Sequence, residues 1–455
     1  GLQDIPCFER AALKALSKGI PVVALKTGSS EIGSALTVSH TGSLSGATEL
    51  YEALFARTGV ISVTNPSQFI ETLKYLCVVG APKGARVAGF TCSGGGATML
   101  ADYAEKIGLV FPPVDPVEET ALKALLPEIA TVSNPLDYTT PIWGQGDLTY
   151  PVFAKAIAAV GADAAVLVQD YPAAGLDASK GYYQQDAAAF GRAAKEQSLP
   201  AAICATLPEN MDLETRQFLI AEGLAPMQGI HETLNAIGQA ATWAQTRARI
   251  SLRMPAPLLP ARQVGALEML TEDKGKDWLA KQGVAVPQGR VATAEQLSEI
   301  AHEIGFPVAL KMMSPLLAHK TEAGAVALNL NDDAEVSKAA AQMRTDVTEH
   351  KPAAVSDRFL IETMSPPPLA ELIVTLRSDP QFGAALVLGS GGVLVELVGD
   401  AVTLLLPSTA EDIEKALKSL RVARLLGGFR GRPKAELSKI AAEIDTLCQA
   451  YLQER

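Results

Sequence analysis

The stretch RVAGFTCSGGGATMLADYAEKI, residues 86–107, decides the fold class. Its first part, Arg86 to Thr91, is an apolar run of strand length, and Thr98 to Ile107 is typical of a helix. The run Ser93-Gly94-Gly95-Gly96-Ala97 lies between them. Strand, glycine turn and helix in this order indicate a βα unit, in which backbone N–H groups can approach an anion. A tight turn with close packing and no ligand explains the glycines equally well.

A second polar cluster, Val38-Ser39-His40-Thr41-Gly42-Ser43-Leu44-Ser45-Gly46, lies between a strand-like run at 21–26 and a helix-like run at 47–58. We expect a loop that enters this helix, where first-turn N–H groups attract anions. The hydroxyls of Thr41 and Ser43 add donors. An imidazole at His40 could accept a phosphoryl group there, since histidine is a nucleophile near neutral pH. The alternative is a histidine that only caps the helix.

Other segments alternate between helix and strand patterns, which predicts parallel sheets with crossover helices. Before Lys83 the predicted elements are 7–17, 22–25, 47–58, 60–63 and 66–78. After the glycine turn they are 151–160, 164–169, 186–197, 200–205 and 230–248. The proline-rich residues 253–265 predict a linker. We therefore predict two domains before it, residues 1–82 and 83–252.

Residues 266–455 show a different order of elements. Helices are predicted at 271–282 and 293–304, with Thr293 as an N-cap, and a final helix at 434–451. Strands are predicted between them at 325–330, 359–362, 370–376, 384–388, 393–397 and 402–406. A run of strands favours an α+β domain with an antiparallel sheet. The predicted fold class is α/β, with two doubly wound, flavodoxin-like parallel-sheet domains followed by an α+β domain.

The composition limits the function. With 39 basic and 50 acidic side chains the formal net charge is −11, which argues against a general nucleic-acid binder. The longest apolar runs have strand length, so we expect no membrane span. The five cysteines lack metal-site spacing and indicate reduced thiols in a cytoplasmic protein. Cys92, beside the glycine run, is a candidate for a reactive thiol.

Several ordered blocks resemble one family. GFPVALK at 305–311 is similar to a strand whose lysine holds nucleotide phosphates, and SPLLAHKTEAG at 314–324 resembles a loop of the same ATP-grasp domain. ELIV at 371–374, RSDPQFG at 377–383 and GSGGVLVE at 389–396 resemble further blocks of that domain. Together with SHTGS at 39–43, these motifs are similar to those of the NDP-forming acyl-CoA synthetases, relatives of succinyl-CoA synthetase. The resemblance covers nearly the whole chain.

The resemblance implies an acid–CoA ligase, in which ATP, a carboxylic acid and CoA interconvert with acyl-CoA, ADP and phosphate through a phosphohistidine. By match, His40 is the phosphorylated residue, and His319 passes the phosphoryl group towards the nucleotide. The other implied site residues are Thr41, Gly42, Ser43, Ser93, Gly94, Gly95 and Gly96 for phosphate, Lys311, Glu362 and Arg377 for the nucleotide, and Glu371 and Glu396 for Mg²⁺. We also expect a small carboxylic acid as a substrate and a homo-oligomer, namely a dimer.

Parts of the family pattern lie outside this chain. A CoA-binding Rossmann domain and a glutamate that steadies the phosphohistidine would precede Gly1, and a metal-binding strand would follow Arg455. We therefore expect the middle of a longer synthetase, with poor turnover by itself. Glu322, Ala325 and Thr375 replace an aspartate and two glycines of the pattern. The alternative is a non-catalytic regulatory module, such as the synthetase-like region of a protein acetyltransferase, but the retained histidines favour an enzyme.

Overall fold

A computed structural model describes residues 2–28, 48–173, 175, 178–261, 270–317, 319–392 and 399–454. The chain divides into two compact units, Gly1–Pro255 and Ala256–Arg455. This division falls inside the predicted linker at 253–265, whereas the predicted border between residues 82 and 83 lies within the first unit and stays a prediction. No helix in the described ranges is both long enough and apolar enough to cross a membrane.

The first unit alternates helices and strands. Its described helices are α1 (Ile5–Ser17), α2 (Thr48–Thr58), α3 (Pro66–Val78), α4 (Gly94–Ile107), α5 (Pro116–Lys123), α6 (Gly146–Val160), α7 (Lys180–Glu196), α8 (Leu213–Ala221) and α9 (Ile230–Leu252). Its described strands are β1 (Val23–Leu25), β2 (Ile61–Val63), β3 (Val87–Thr91), β4 (Leu136–Asp137), β5 (Ala164–Val168), β6 (Ala201–Ala205) and β7 (Ala225–Gln228). Strands β1 and β2 pair in parallel, which agrees with the predicted alternation.

The main sheet of the first unit has five parallel strands in the order β4-β3-β5-β6-β7. Every residue of β3, β5 and β6 is buried, because helices cover both faces. Along β5, Ala165 and Leu167 belong to the core on one face, and Ala164, Val166 and Val168 belong to the core on the other. Continuous apolar runs are therefore the pattern that this sheet requires.

The order of the strands reverses at β3. This strand comes first along the chain, but β4 lies on one side of it and β5 on the other. In doubly wound folds such a reversal leaves a crevice at the carboxyl ends of the two diverging strands, here β3 and β5, and ligands bind in it. The glycine run at 93–96 follows β3 directly and therefore lies at this crevice.

The second unit is an α+β structure, as predicted. Its described helices are α10 (Glu272–Lys281), α11 (Leu297–Ile304), α12 (Asp333–His350), α13 (Ala410–Ser419), α14 (Ala423–Leu426) and α15 (Leu437–Glu454). Its described strands are β8 (Gly289–Ala292), β9 (Val308–Met312), β10 (Val326–Leu330), β11 (Phe359–Thr363), β12 (Leu372–Asp379), β13 (Gly383–Ser390) and β14 (Ala401–Leu405). The strand predicted at 393–397 lies outside the described residues.

These strands form two antiparallel sheets, in the orders β10-β9-β11-β8 and β12-β13-β14. In the first sheet, Leu310 and Met312 of β9 pack in a core with α11 and α12. Lys311 projects from the opposite face, because side chains alternate along a strand. Glu362 of β11 pairs with Ala309 and so shares the face of Lys311.

The helix predicted at 293–304 is divided in two. A 3₁₀ turn at Ala294–Gln296 leads directly into α11, so the predicted helical segment is present and only its first turn is not α-helical. Thr293 and Gln296 form a capping box, in which the Thr293 N–H donates to Gln296 Oε1 at 3.1 Å. The box satisfies backbone groups at the start of the turn, which confirms Thr293 as a cap.

Candidate functional site

Helix α4 begins at the glycine run itself. Its N-cap is Ser93 and its first residues are Gly94, Gly95 and Gly96, so the predicted start at Thr98 was wrong. Glycine is a weak helix former, which is why the run looked like a loop. Packing explains Gly96, since a Cβ there would lie 2.6 Å from Thr91 Oγ1. Close packing of the turn on β3 is therefore part of the reason for the glycines.

The other two glycines face solvent. A Cβ on Gly95 would meet only Ser93 Oγ, at 3.7 Å, and Ser93 makes no side-chain capping hydrogen bond. The Asp137 carboxylate lies 3.7 Å from the position of a Cβ on Gly94, which leaves the Gly95 side of the turn for an anion. The first-turn N–H groups of this 14-residue helix, with the helix dipole behind them, are suited to that purpose.

Cys92 precedes the turn and is partly buried. Burial raises the pKa of its thiol and the Asp186 carboxylate raises it further, so the thiol stays protonated and is a poor nucleophile. Asp186 is fully buried. Its carboxylate accepts hydrogen bonds at 3.0 Å from Tyr138 Oη, Gly144 N and Thr149 Oγ1. The buried carboxylate is thus fixed in place near Cys92, and the raised pKa of the thiol argues against the suggested reactive role of Cys92.

The predicted phosphohistidine segment lies outside the described residues. This applies to His40 and to the residues named beside it, Thr41, Gly42 and Ser43. The described elements on either side agree with expectation, because β1 ends at Leu25 and α2 begins at Thr48. The roles of these four residues stay predictions.

In the second unit, Lys311 lies between two carboxylates. Its Nζ donates to Glu272 Oε1 at 2.6 Å and to Glu362 Oε1 at 2.7 Å. Lys276 donates to Glu272 Oε1 at 2.9 Å and to Glu362 Oε2 at 2.5 Å, and Lys320 donates to Glu272. We refer to these five side chains, Glu272, Lys276, Lys311, Lys320 and Glu362, as the lysine cluster.

The lysine cluster is largely shielded from water. The lysine side chains are 18–22% exposed, Glu272 is 25% exposed and Glu362 is 5% exposed. Burial raises the pKa of Glu272, but hydrogen bonds from Lys311, Lys320 and Lys276 outweigh burial and lower the pKa to about 2. Burial lowers the pKa of Lys311, and its two carboxylate partners raise it more. Three ammonium groups and two carboxylates give the cluster one excess positive charge.

The structure brings two predicted nucleotide residues, Lys311 and Glu362, into contact and places a third elsewhere. Arg377 lies on β12 of the three-stranded sheet, opposite Ala385 of β13. His319 is exposed in the turn that precedes Lys320. The roles of Arg377 and His319 stay predictions.

The predicted metal site is described only in part. Glu371 is exposed and immediately precedes β12, and its Oε2 lies 3.4 Å from the position of a Cβ on Gly392. Glu396 lies outside the described residues. Among the side chains that the structure does describe, no group of three or more His, Cys, Asp or Glu is arranged to hold a metal ion. The Mg²⁺ roles of both glutamates stay predictions.

Glu272 and Lys276 were not predicted from the sequence, and no role was predicted for Lys320. Glu272 and Lys276 are four residues apart at the start of α10, so they share one face of the helix. That spacing could have indicated an ion pair. Nothing in the sequence indicated that this face meets β9 and β11, because the meeting depends on the tertiary fold.

Comparisons with known proteins agree with the two units. Residues 262–451 match the ATP-grasp domain family, and residues 1–76 match the succinyl-CoA ligase like flavodoxin domain. ADP-forming acetate–CoA ligase I of Archaeoglobus fulgidus is 27% identical over 454 residues, which cover 97% of this chain and 63% of that protein. The beta subunit of ADP-forming acetate–CoA ligase II of Pyrococcus furiosus is 33% identical over 172 residues, which cover 38% of this chain and 72% of the subunit.

A trans-feruloyl-CoA synthase from an unknown prokaryotic organism is 28% identical over 438 residues, which cover 95% of this chain and 61% of that protein. The chain thus spans less than two thirds of the length of its longer relatives. A solved acetyl-coenzyme A synthetase from Ca. Korarchaeum cryptofilum, in complex with coenzyme A and Ca-AMPCP, matches at 34% identity and a TM-score of 0.39, covering 40% of this chain and 80% of that chain. The matched domain families and relatives show that the chain belongs to the family of ADP-forming acyl-CoA synthetases.

Proposed function

We propose that the protein is an acid–CoA ligase that converts ATP, a carboxylic acid and CoA into acyl-CoA, ADP and phosphate. The observation that carries the proposal is the lysine cluster on the sheet of the ATP-grasp unit. Its excess positive charge suits an anion, and its central residue, Lys311, is the lysine that the sequence pattern assigns to nucleotide phosphates. Membership of the family supports the same reaction.

The proposed reaction proceeds as a relay. The γ-phosphoryl group of ATP passes to the imidazole of His40 as the bond to ADP breaks, with His319 acting between the nucleotide and His40. The phosphoryl group then moves to the carboxylate of the acid and gives an acyl phosphate. The thiol of CoA attacks the acyl carbon, the thioester forms and phosphate leaves. Such transfers depend chiefly on positioning and on neutralising the charge of the phosphoryl group.

Two kinds of group neutralise that charge in this proposal. Lys311, held by Glu362, and Arg377 act on the nucleotide phosphates as cations. Backbone N–H groups at the start of α4 act on the phosphoryl group bound to His40. The residues assigned to this second task are Ser93, Gly94, Gly95 and Gly96, with Thr41, Gly42 and Ser43 from the histidine segment.

Mg²⁺ would be held by Glu371 and Glu396. The exposed Glu371 carboxylate beside Gly391 and Gly392 fits a hard cation that prefers oxygen ligands. When bound, the ion supplies further neutralisation of the nucleotide phosphates.

An assay of thioester formation tests the proposed function. Two relatives are named as ADP-forming CoA ligases for acetate and for 4-hydroxybutyrate, and a third is named as a trans-feruloyl-CoA synthase, so acetate, 4-hydroxybutyrate and trans-ferulate form the first panel. The protein in its natural form is incubated with ATP, Mg²⁺, CoA and each acid. We expect thioester, ADP and phosphate in equal amounts with at least one acid. Formation of AMP and pyrophosphate would contradict the ADP-forming reaction. No thioester across a wide panel of acids would contradict the ligase proposal and favour the regulatory module.

A further inference from the structure

Three ammonium groups converge on one carboxylate in the second unit. Lys311 and Lys276 both donate to Oε1 of Glu272, at 2.6 and 2.9 Å, and Lys320 donates to Oε2. The lysines come from three separate segments, namely β9, α10 and the turn that follows residue 319. Their ammonium groups therefore surround a volume about the size of one carboxylate group.

The lysine cluster contains one more lysine than is needed to pair its two glutamates. Lys311 and Lys276 each contact both carboxylates, so the two glutamates are already paired without Lys320. Bringing a third ammonium group into a half-shielded site adds repulsion between like charges and a desolvation cost. A function in anion binding accounts for the third lysine, because a phosphate group offers three oxygens and more charge than a carboxylate.

The two carboxylates differ in how easily they can leave. Glu362 is 5% exposed on β11, a strand with neighbours on both sides, and its Cβ lies 2.6 Å from the position of a Cβ on Gly289, so it is confined. Glu272 is 25% exposed and is the first residue of α10. Rotation of its side chain can move the carboxylate into water without disturbing the sheet.

We propose that Lys276, Lys311 and Lys320 form one tripod that binds the phosphate chain of a nucleoside diphosphate or triphosphate, and that Glu272 occupies the tripod until the nucleotide displaces it. The inference rests on the proposed function and deepens it. Glu272 acts as an internal counter-ion, which keeps the three lysines together while no nucleotide is bound. Bound phosphate then takes over its hydrogen bonds, and the Glu272 carboxylate turns to solvent.

The sign of one affinity change distinguishes this role from a structural one. Glu272→Gln removes the competing charge, so the variant binds ADP about tenfold more tightly than the wild type, since ADP no longer has to displace a carboxylate from its charge-assisted contacts with the three lysines. If Glu272 only held the lysines in position, the same substitution would weaken ADP binding. Lys276→Met and Lys320→Met each weaken ADP binding by about tenfold, since each removes one cation of the tripod.

The measurement is calorimetric titration of the full-length protein with Mg²⁺-free ADP and, separately, with inorganic tripolyphosphate. Because tripolyphosphate has no base or sugar, the same gain in Glu272→Gln assigns the effect to the phosphate site. Glu303→Gln is the matched control, since Glu303 is a half-exposed glutamate of the same unit that pairs with Arg290 at 3.0 Å. We expect its affinity to equal that of the wild type. Lys320→Met provides an independent test if Glu272→Gln does not fold.

Unchanged or weaker ADP binding in a folded Glu272→Gln variant would overturn the displacement of Glu272. Unchanged binding in Lys320→Met would overturn the tripod. In both cases the proposed ligase activity would stand, because the wild type still binds ADP. A wild-type protein that binds neither ADP nor tripolyphosphate would overturn the proposed function and this inference together.

Discussion

The two proposed phosphate sites, the glycine turn at 93–96 and the lysine cluster, differ in the groups that they present. The turn presents backbone N–H groups at the start of α4, and no residue from Cys92 to Gly96 carries a cationic side chain. The lysine cluster presents three ammonium groups and separates them with two carboxylates. One site uses the dipole of a helix and the other uses full charges.

If both proposals hold, this difference explains how a chain with a net charge of −11 binds anions. The affinity of the turn for an anion would depend on its backbone geometry, which the packing of Gly96 against Thr91 fixes. Charged side chains away from the turn would therefore have little effect on it. Affinity in the cluster depends on counter-ions and therefore on pH, on salt and on the position of Glu272. In our proposal the site at the turn is already formed, while the lysine cluster has to exchange Glu272 for phosphate.

The largest effect is expected from Lys311→Met. The substitution removes the lysine at the centre of the cluster, and kcat/KM for ATP falls by about 100-fold, the scale for losing one preorganised group that binds developing charge. Thioester formation by the full-length protein measures the change. Lys338→Met, on the exposed face of α12, is the control and keeps wild-type activity. If kcat/KM for ATP falls no further in Lys311→Met than in the control, the lysine cluster is not part of the nucleotide site.

The second effect is a loss of free energy of unfolding at acidic pH. The pKa of Glu272 is about 2 in the fold and about 4.3 in an unfolded chain, so its ion pairs stabilise the fold fully above pH 4.3. That stabilisation, at most about 3 kcal/mol, is lost as the pH falls from 4.3 towards 2. Urea unfolding, followed by Trp278 fluorescence in a Trp143→Phe, Trp243→Phe background, measures it. We expect Glu272→Gln to show a weaker pH dependence over this range; equal pH dependence would show that Glu272 is not charge-paired.

A pair of glycine substitutions tests the turn. Gly96→Ala destabilises the first unit by about 1–3 kcal/mol, because its Cβ would overlap Thr91. Gly95→Ala stabilises it by up to about 1 kcal/mol, because alanine is the better helix former and the Cβ has room. Urea unfolding followed by circular dichroism compares the two. Equal effects would mean that Gly96 is not the packing residue of the turn.

The smallest effect is expected from Ser93→Ala. Because Ser93 makes no side-chain cap bond, its loss changes the free energy of unfolding by less than about 0.5 kcal/mol. Asn65→Ala is the matched comparison, since Asn65 Oδ1 accepts from Gln68 N at 2.8 Å at the start of α3, and its removal costs about 1 kcal/mol. A loss in Ser93→Ala as large as that in Asn65→Ala would show that the Ser93 hydroxyl caps α4.

Local signals predicted much of the fold. Helix α3 has the predicted bounds, 66–78, because Asn65 caps it and Pro66 suits the first helical position. Strands β5 and β6 agree within one residue because buried parallel strands need continuous apolar runs. Helix α12 was missed, although Val336, Ala340, Met343 and Val347 are buried at helical spacing, a signal that was present in the sequence.

The candidate site could be predicted only where a motif lies in one segment. Lys311 was assigned from the resemblance of residues 305–311 to a strand of the ATP-grasp domain, and the structure places Lys311 in contact with Glu362, the other residue assigned to the nucleotide that it contacts. The contacts of Glu272 could not be predicted, because its lysine partners lie on a strand, on its own helix and in a later turn. The start of α4 could not be predicted either, since the propensity of glycine opposes a helix and tertiary packing decides it.

The central claim is that phosphate passes from the nucleotide through His40. The most direct measurement is to incubate the full-length protein with γ-labelled ATP and Mg²⁺ and to examine the labelled protein. We predict a phosphoprotein that is labile to acid and stable to base, and that is lost in His40→Ala but kept in the control His231→Ala. Label that persists in His40→Ala, or label that is stable to acid, would contradict the account.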